Sequence, residues 1–409
     1  MQPRLLVVSQ YFWPESFRIN EVVKTLLQRG VDTRILTGKP NYPDGQIFEG
    51  YRASGCQQES FESANVYRVP LFPRGSKSAW RLALNYVSFI VSGLIFGPWL
   101  LRREDVDVIL VYCPSPILQV LPALLIGSMK RAPVTVYVQD LWPDSLAATG
   151  YMTNTMVLRA VELVTKFIYR RADLILISSR PFEDPIRRLA PNATIRYFPN
   201  SVDSSFCDPE SGSKPDLPAL NDGFTVVFAG NLGSAQAVNV IVDAADLLRH
   251  NKDIRFVVIG SGSELEWMHQ QVRDRQLDNL ALPGRFPTDT MPYLLSKASV
   301  LLVTLTDQRI FAATVPNKIQ AYMAVGRPII ACMNGEGARI VSEAEAGLAV
   351  PAEDSGQLAD AVVQLYETPQ AERDRMGANG RAYYHQHFDH EKLVTKLTGH
   401  LHDVIGSKP

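Results

Sequence analysis

Short apolar runs, each closed by a turn, alternate along the chain with stretches of helical period. In the first half the runs include RLLVVS, TRILTG, DVILVY, VTVYVQD and DLILISS. The clearest helical stretch is NEVVKTLLQRG, in which the valines and leucines share one face and Gly30 ends the helix. Continuous Val, Ile and Leu strands separated by helices predict a parallel sheet covered on both faces.

This alternation stops near Phe198. The stretch FPNSVDSSFCDPESGSKPDLPALNDG is rich in Pro, Ser, Gly and Asp and has no apolar period, which is typical of a linker. The alternation then resumes with FTVVFAG, IRFVVIGSG, SVLLVTL and RPIIAC. We therefore predict an α/β fold with two Rossmann-like, doubly wound parallel-sheet domains, residues 1–200 and 201–385. Ligands of such sheets bind beyond the carboxyl ends of the strands, so a cleft between two facing sheets is the expected site.

Residues 82–101, LALNYVSFIVSGLIFGPWLL, carry no charge over about the length that spans a bilayer. The segment could be a buried helix of the first domain. It could span the membrane, which would put DVILVY across the bilayer from its presumed sheet partner RLLVVS. It could also lie in the membrane interface, with aromatic rings at headgroup level and basic residues on lipid phosphates. The residues for that third role are Arg74, Lys77, Trp80, Arg81, Tyr86, Trp99, Arg102 and Arg103.

Composition narrows the class of protein. Of the 409 residues 46% are hydrophobic and 20% charged, which predicts large packed cores, and the net charge of −1 gives no bias toward nucleic acid. The four cysteines are scattered without a CxxC pair, which favours free thiols in a reducing compartment. The N-terminal stretch MQPRLLVVSQ is typical of a buried strand and lacks the apolar core of a signal peptide. We expect a cytoplasmic protein.

A glycine turn opens the second domain's first helix. In AGNLGSAQ, Gly230 and Gly233 permit a tight turn, and the free amides at the helix start that follows can face an anion such as a diphosphate. The turn IGSGSE has the same property. Neither turn is specific, because any α/β domain can use glycine there.

The stretch TVPNKIQAYMAVGRPII predicts a loop, a short helix and a buried strand. Asn317 is the expected N-cap, and Gly326 is the expected end of the helix. Gln320 would then stand where a side chain can bond back to the cap, which is a purely structural explanation for it. Lys318 lies in the first turn, where the helix dipole disfavours a cation. It therefore indicates a bound anion, the alternative being a solvated lysine.

The histidines in HQHFDHE, His385, His387 and His390, do not have a zinc-site spacing. They are expected to be an exposed lead into the last helix. No paired carboxylates suggest a metal for a diphosphate either. We therefore expect neither metal nor other cofactor.

Seven motifs together resemble one family: QYFWPESFRINEVVKTLLQRG, LTGKPNYPDG, VQDLWPDS, FPNSVD, FAGNLGSAQ, LPGRF and VPNKIQAYMAVGRPI. The chain is similar to bacterial retaining glycosyltransferases of the GT-B type, family 4. Within them it resembles the branch that builds O-antigen and capsule polysaccharides, including N-acetyl-L-fucosamine transferases. The resemblance implies the GT-B fold, with residues 386–409 as a helix that packs back on domain one.

The resemblance also implies roles for individual residues. The backbone at Gly284, Arg285 and Phe286 would hold the nucleobase, and Gln320 would face the ribose. The amides of Ala312, Ala313 and Thr314 would meet the diphosphate and sugar, beside the turn at Gly230. Asp140 would lie near the reacting sugar as a catalytic candidate. The acceptor would meet first-domain loops at Glu15, Arg18, Asn41 and Tyr42.

The chain departs from the family at its charged donor residues. The family's lysine and arginine for the diphosphate match Gln236 and Asn231, and its glutamate pair matches Ala312 and Gln320. Lys318, also a catalytic candidate, and Arg309 are the cations expected to replace the lost charge.

The implied reaction is retaining transfer from a nucleotide-diphospho-sugar, a UDP-sugar in the first instance, to a lipid-diphosphate-linked saccharide. The enzyme would work at the inner face of the cytoplasmic membrane as a peripheral protein. A UDP-sugar 2-epimerase of the same fold is one alternative. An inactive donor-binding partner subunit, suggested by the lost glutamates, is another.

Overall fold

The computed structural model describes residues 3–75, 79–148, 154–221 and 223–407. Lys77, named above as a flanking cation, lies outside these ranges. The chain divides into two compact units. Unit 1 comprises Met1–Pro199 with Glu391–Pro409, and unit 2 comprises Asn200–His390.

Unit 1 is built on an eight-stranded sheet. In chain order its strands are β1 Leu5–Val8, β2 Thr33–Thr37, β3 Gln57–Phe61, β4 Ala64–Arg68, β5 Val108–Cys113, β6 Val134–Val138, β7 Leu174–Ile177 and β8 Ile195–Tyr197. The spatial order is β3-β4-β2-β1-β5-β6-β7-β8, and only the pair β3–β4 is antiparallel. The helices are α1 Arg18–Gln28, α2 Ala79–Leu100, α3 Val120–Lys130, α4 Asp144–Ala148, α5 Thr155–Arg171 and α6 Glu183–Leu189.

Unit 2 is built on a six-stranded, all-parallel sheet in the order β11-β10-β9-β12-β13-β14. Its strands are β9 Phe224–Asn231, β10 Ile254–Ser261, β11 Leu280–Gly284, β12 Val300–Thr304, β13 Ile329–Cys332 and β14 Gly347–Val350. Its helices are α7 Val238–Leu247, α8 Leu265–Arg275, α9 Met291–Ser296, α10 Arg309–Ala313, α11 Asn317–Val325, α12 Glu336–Glu343, α13 Ser355–Glu367 and α14 Gln370–His387.

In both sheets the strand order reverses beside the first strand of the unit, at β1–β5 and at β9–β12. Parallel strands need right-handed crossovers, so helices that follow opposite directions of travel cover opposite faces of the sheet. In unit 1 the last helix, α15 His390–Gly406, shares a core with α1. Helices α2, α3, α5 and α6, whose crossovers all run toward β8, cover the other face.

The uncharged segment of residues 82–101 lies almost entirely within α2. Phe89 is fully buried, Gly93 faces Pro122 of α3, and Gly97 faces Ile126 of α3. Strands β1 and β5 pair directly in one sheet, which a bilayer-spanning α2 would prevent. By length and composition α2 could cross a membrane, but this pairing of β1 and β5 argues against it. Only 28% of the apolar window of α2 is buried inside the protein, so much of the helix is exposed. The helix is therefore a core element on one face and an exposed apolar surface on the other.

Candidate functional site

The turn after β9 and the start of α11 meet in unit 2. The Nζ of Lys318 donates a hydrogen bond to Gln236 Oε1 over 3.1 Å and lies 3.5 Å from the centroid of the Phe228 ring. Gly230, with a φ of 135°, passes so close that a Cβ there would lie 2.7 Å from Lys318 Cε. The structure thus brings together three predicted residues, Gly230, Gln236 and Lys318, and adds Phe228, which sequence reasoning missed.

Electrostatics single out Lys318 within this cluster. Burial lowers the pKa of its ammonium to about 7. No carboxylate lies within ion-pair distance of it in the described ranges. In the described ranges its ammonium donates to Gln236. The structure therefore holds an unpaired cation of α11 beside the glycine turn of β9.

The start of α11 differs from the expectation. Pro316, not Asn317, is the N-cap, with φ −61° and ψ 134°, and no side chain caps the helix. Asn317 is the first helical residue, and its Oδ1 accepts from Asn200 Nδ2 over 2.9 Å. The proline ring already fixes φ near the value that the start of a helix needs. The side-chain amide of Asn317 is therefore not used as a cap and can bond to Asn200 instead. The predicted capping role of Asn317 is wrong.

Gln320 accordingly falls one position later in the helix than a capping box requires. Its side chain is only 1% exposed, and its Oε1 has no hydrogen-bond partner in the described part of the chain. The capping explanation for Gln320 is therefore wrong. The same burial argues against the predicted contact with a ribose, because the amide lies inside unit 2 rather than on its surface.

Residues 312–314 form the end of α10 and the residue after it, not an open loop. The amide of Ala312 donates to Gln308 O over 2.9 Å, and that of Thr314 donates to Phe311 O over 3.1 Å. These two amides are used within the segment and cannot also bind a diphosphate as predicted. Ala313 is the last residue of α10. Arg309 begins α10 and is exposed.

The proposed nucleobase segment follows the edge strand β11. Gly284 adopts a φ of 83°, which glycine tolerates best, and turns the chain out of the sheet. Arg285 is exposed, and Phe286 packs partly on the core of unit 2. An open backbone at a strand's carboxyl end can accept a planar ligand, so the nucleobase contact stays a prediction.

In unit 1 the predicted acceptor residues separate into two groups. Glu15 is 2% exposed and accepts hydrogen bonds from the amides of Asn41 and Tyr42, both over 2.7 Å, and from Phe12 over 3.2 Å. Burial raises the pKa of its carboxyl to about 7, although these bonds oppose the rise. The buried Asn41 side chain donates to Lys39 O. Glu15 and Asn41 thus hold the loop and do not face an acceptor, which corrects the prediction.

Tyr42 and Arg18 remain accessible. The Tyr42 ring is partly exposed, lies beside Tyr11 and Phe17, and carries the Arg74 guanidinium 5.2 Å from its centroid. Arg18 begins α1, and its Nε is buried without a partner in the described ranges. Aromatic rings and guanidinium groups suit a saccharide or phosphate, and the acceptor contact of Tyr42 and Arg18 stays a prediction.

Asp140 lies two residues after the end of β6. Burial raises the pKa of its carboxyl to about 6, and the neighbouring Leu141 amide opposes the rise. A cavity of about 480 Å³ opens next to this loop. No local pattern in the sequence predicts this cavity, because its walls come from three separate segments. They are Leu141, Trp142, Pro143, Asp144, Glu162, Lys166, Tyr169, Pro185, Arg188 and Leu189.

No group of three or more His, Cys, Asp or Glu side chains able to hold a metal occurs among the residues that the structure describes. The C-terminal histidines are dispersed. His390 Nδ1 lies 2.9 Å from Ser201 Oγ, and His385 lies beside Asp389.

Two family models match the chain. Residues 16–201 match the model described as "Glycosyl transferase 4-like domain", and residues 223–368 match "Glycosyl transferases group 1". The chain is 24% identical over 345 residues to the colanic acid biosynthesis glycosyl transferase WcaI of Escherichia coli (strain K12). That match covers 79% of this chain and 81% of the relative.

Solved structures show the same fold. Sucrose-phosphate synthase (tll1590) from Thermosynechococcus elongatus has a TM-score of 0.74 at 18% identity, with 100% of both chains covered. Anabaena Alr3699/HepE in complex with UDP has a TM-score of 0.69 at 14% identity, covering 98% of this chain and 100% of that one. The likeness confirms the predicted GT-B class of two parallel-sheet α/β domains.

Proposed function

We propose a donor and an acceptor for this chain, which is a glycosyltransferase of the GT-B type. It moves a sugar from a UDP-sugar to a saccharide carried on a lipid diphosphate, with retention of anomeric configuration. UDP-N-acetyl-L-fucosamine is the first donor to test. The product belongs to a surface polysaccharide such as O-antigen or capsule. The observation that carries the proposal is the ammonium of Lys318 beside the glycine turn of β9.

The donor side rests on charge. In the transfer, the bond between the anomeric carbon and the diphosphate breaks, and negative charge develops on the leaving oxygen. A cation held in place beside that oxygen lowers the barrier without reorganisation. In the described ranges no carboxylate neutralises Lys318, and its pKa of about 7 would rise when an anion binds next to it. The UDP in the HepE complex makes this nucleotide the natural first choice.

On the acceptor side, the proton of the attacking hydroxyl must leave as the new bond to the anomeric carbon forms. Asp140 is our catalytic candidate in unit 1, because it follows β6 and its pKa of about 6 leaves it mostly ionised at neutral pH. Tyr42 and Arg18 are the proposed acceptor contacts. The colanic acid role in the name of WcaI supports a polysaccharide as the product.

A lipid-linked acceptor places the enzyme at a membrane. We propose a cytoplasmic protein bound peripherally to the inner face of the cytoplasmic membrane. The exposed apolar side of α2 is consistent with that location.

The test is a transfer assay with the purified full-length chain, a panel of UDP-sugars and a lipid extract that carries acceptor. We expect UDP release that depends on the acceptor, together with a labelled lipid product. A changed sugar without any acceptor would instead indicate the epimerase. Saturable UDP-sugar binding with no transfer to any acceptor would indicate the donor-binding partner, and no binding at all would contradict the donor assignment.

A further inference from the structure

Exposed apolar side chains in the described ranges concentrate on one part of unit 1. Seventeen large hydrophobic residues are exposed, and twelve of them lie on α2, α3 and α5. The α2 members are Trp80, Leu84, Val87, Val91, Ile95 and Trp99; those on α3 are Leu125 and Met129; those on α5 are Met156, Val157, Leu163 and Phe167. A soluble monomer rarely exposes so much apolar surface in one place, so a partner is expected to cover it.

The six residues on α2 recur every three or four positions, so they form one stripe along the helix. Each is between 38% and 62% exposed. The opposite stripe contains Asn85, Phe89, Gly93 and Gly97 and packs into unit 1. The exposed stripe is therefore a surface of a fixed helix.

Helices α3 and α5 widen this stripe into a patch. Helix α2 packs on α3, and α3 packs on α5, all over the same face of the sheet. Their exposed apolar residues thus point outward together with those of α2. The composition of α2 suggests membrane contact, whereas nothing in the periodicity of α5 distinguishes Leu163 or Phe167 from core residues. The width of the patch is a finding of the structure.

The charges of the patch indicate which kind of partner covers it. Within the three helices there are six basic residues and one acidic residue, Glu162. Three arginines lie over exposed aromatic rings of the patch. Arg81 is 5.4 Å from Trp80, Arg102 is 4.9 Å from Trp99, and Arg171 is 5.6 Å from Phe167. Aromatic rings paired with arginines suit the boundary between acyl chains and anionic headgroups.

We propose that the outer surface of α2, α3 and α5 docks unit 1 on an anionic lipid bilayer. The inference rests on the proposed lipid-linked acceptor and adds the surface that meets the lipid. A second copy of the chain fits less well, because a symmetric interface would bring two sets of basic residues together.

The buried side of α2 connects this surface to the acceptor loops. Asn85 Oδ1 accepts from Gln10 Nε2 over 2.6 Å, and Asn85 Nδ2 donates to Phe72 O over 2.6 Å and to Asn41 Oδ1 over 3.3 Å. Asn41 is adjacent to Tyr42, the proposed acceptor contact. Lipid bound at the outer stripe would thereby set the height of Tyr42 above the bilayer.

The experiment is co-sedimentation of the full chain with vesicles of phosphatidylcholine containing phosphatidylglycerol. We expect binding that salt weakens and does not abolish, because apolar insertion adds to charge. The double variants Val91→Ser/Ile95→Ser and Leu163→Ser/Phe167→Ser should each lower vesicle affinity at least tenfold. The control Leu247→Ser removes an exposed leucine of unit 2 and should leave binding unchanged. Circular dichroism checks that each variant is folded.

Three results would overturn the inference. One is a folded wild-type chain that never sediments with vesicles. Another is wild-type binding in the α5 variant, which would restrict the surface to α2. The last is a lipid-free dimer that the same substitutions dissociate, which would assign the patch to a second copy. UDP binding measured on the same samples separates these outcomes from failure of the proposed function, since it depends on unit 2.

Discussion

Two ionisable side chains of opposite sign, Glu15 in unit 1 and Lys318 in unit 2, are each brought by burial to a pKa of about 7. Their surroundings differ. Three backbone amides converge on the Glu15 carboxylate, whereas Lys318 has one amide oxygen and an aromatic ring. Glu15 is satisfied by an amide of its own loop and by two amides of the loop that follows β2. The Lys318 ammonium has further N–H donors and, among the residues that the structure describes, no carboxylate within ion-pair distance.

The difference separates a structural charge from a functional one. A carboxylate whose acceptor positions are filled by amides can order a loop and has little left for a ligand. An ammonium without an anion is costly to bury unless a ligand brings that anion. Position in the sequence does not distinguish these cases, since both residues lie beside predicted loops. The number of local partners does.

The largest effect should follow from removing the satisfied charge. Glu15→Ala leaves three amides without their acceptor, and each such loss costs roughly 1–3 kcal/mol, so we expect a decrease of about 3 kcal/mol in the free energy of unfolding. Urea denaturation followed by circular dichroism measures it. Glu15→Gln keeps one acceptor oxygen and should lose less. An unchanged urea midpoint in Glu15→Ala would end the structural interpretation.

Removing the unsatisfied charge of Lys318 should change ligand binding and turnover rather than stability. Lys318→Ala should weaken UDP-sugar binding or turnover at least tenfold, about 1.4 kcal/mol, with little change in stability. Calorimetry with UDP and steady-state kinetics measure the two parts. The matched control is Lys252→Ala, which removes an exposed lysine of the same unit and should change neither quantity. Wild-type kinetics in Lys318→Ala would refute the diphosphate role.

The contrast also has a pH signature. The folded-state pKa of Lys318 lies well below its ordinary 10.5, so between about pH 7 and 10.5 the unfolded chain binds more protons and stability rises with pH. An arriving diphosphate would favour the protonated form, so UDP binding at pH 8 should take up as much as one proton. Calorimetry in two buffers of different ionisation enthalpy counts that proton. Equal uptake by wild type and Lys318→Ala would show that another group supplies it.

Local pattern predicted the fold because each parallel strand is a continuous apolar run and each crossover helix has its own period. It also made Lys318 a candidate, since a cation at a helix start is unfavourable regardless of the fold. Gln236 and Phe228, its contacts, are 82 and 90 positions away, and only β9 and α11 packing together places them there. Such long-range contacts have no signature in one sequence.

The errors have the same origin. Asn41 and Glu15 are 26 positions apart, so the bond that fills the carboxylate was not visible. Residues 312–314 were expected to be a loop, and the helix α10 that consumes their amides is only five residues long. The apolar content of α2 is so uniform that the sequence does not distinguish its exposed face from its buried face, which includes Phe89.

The smallest expected effect is that of replacing Gln320, because its side chain lacks a partner for its oxygen, as Lys318 lacks a counter-charge, but carries no charge. Its Oε1 is buried without a partner in the described ranges, so Gln320→Met, similar in volume, should raise the free energy of unfolding by about 1 kcal/mol. Gln320→Glu would bury a charge there and should lower it. UDP affinity should stay unchanged in Gln320→Met, because the side chain lies inside unit 2. Thermal unfolding with and without UDP measures both. A Gln320→Met variant that is more stable but binds UDP several-fold more weakly would restore the ribose contact, since the orphan oxygen would then be waiting for a ligand as the ammonium of Lys318 does.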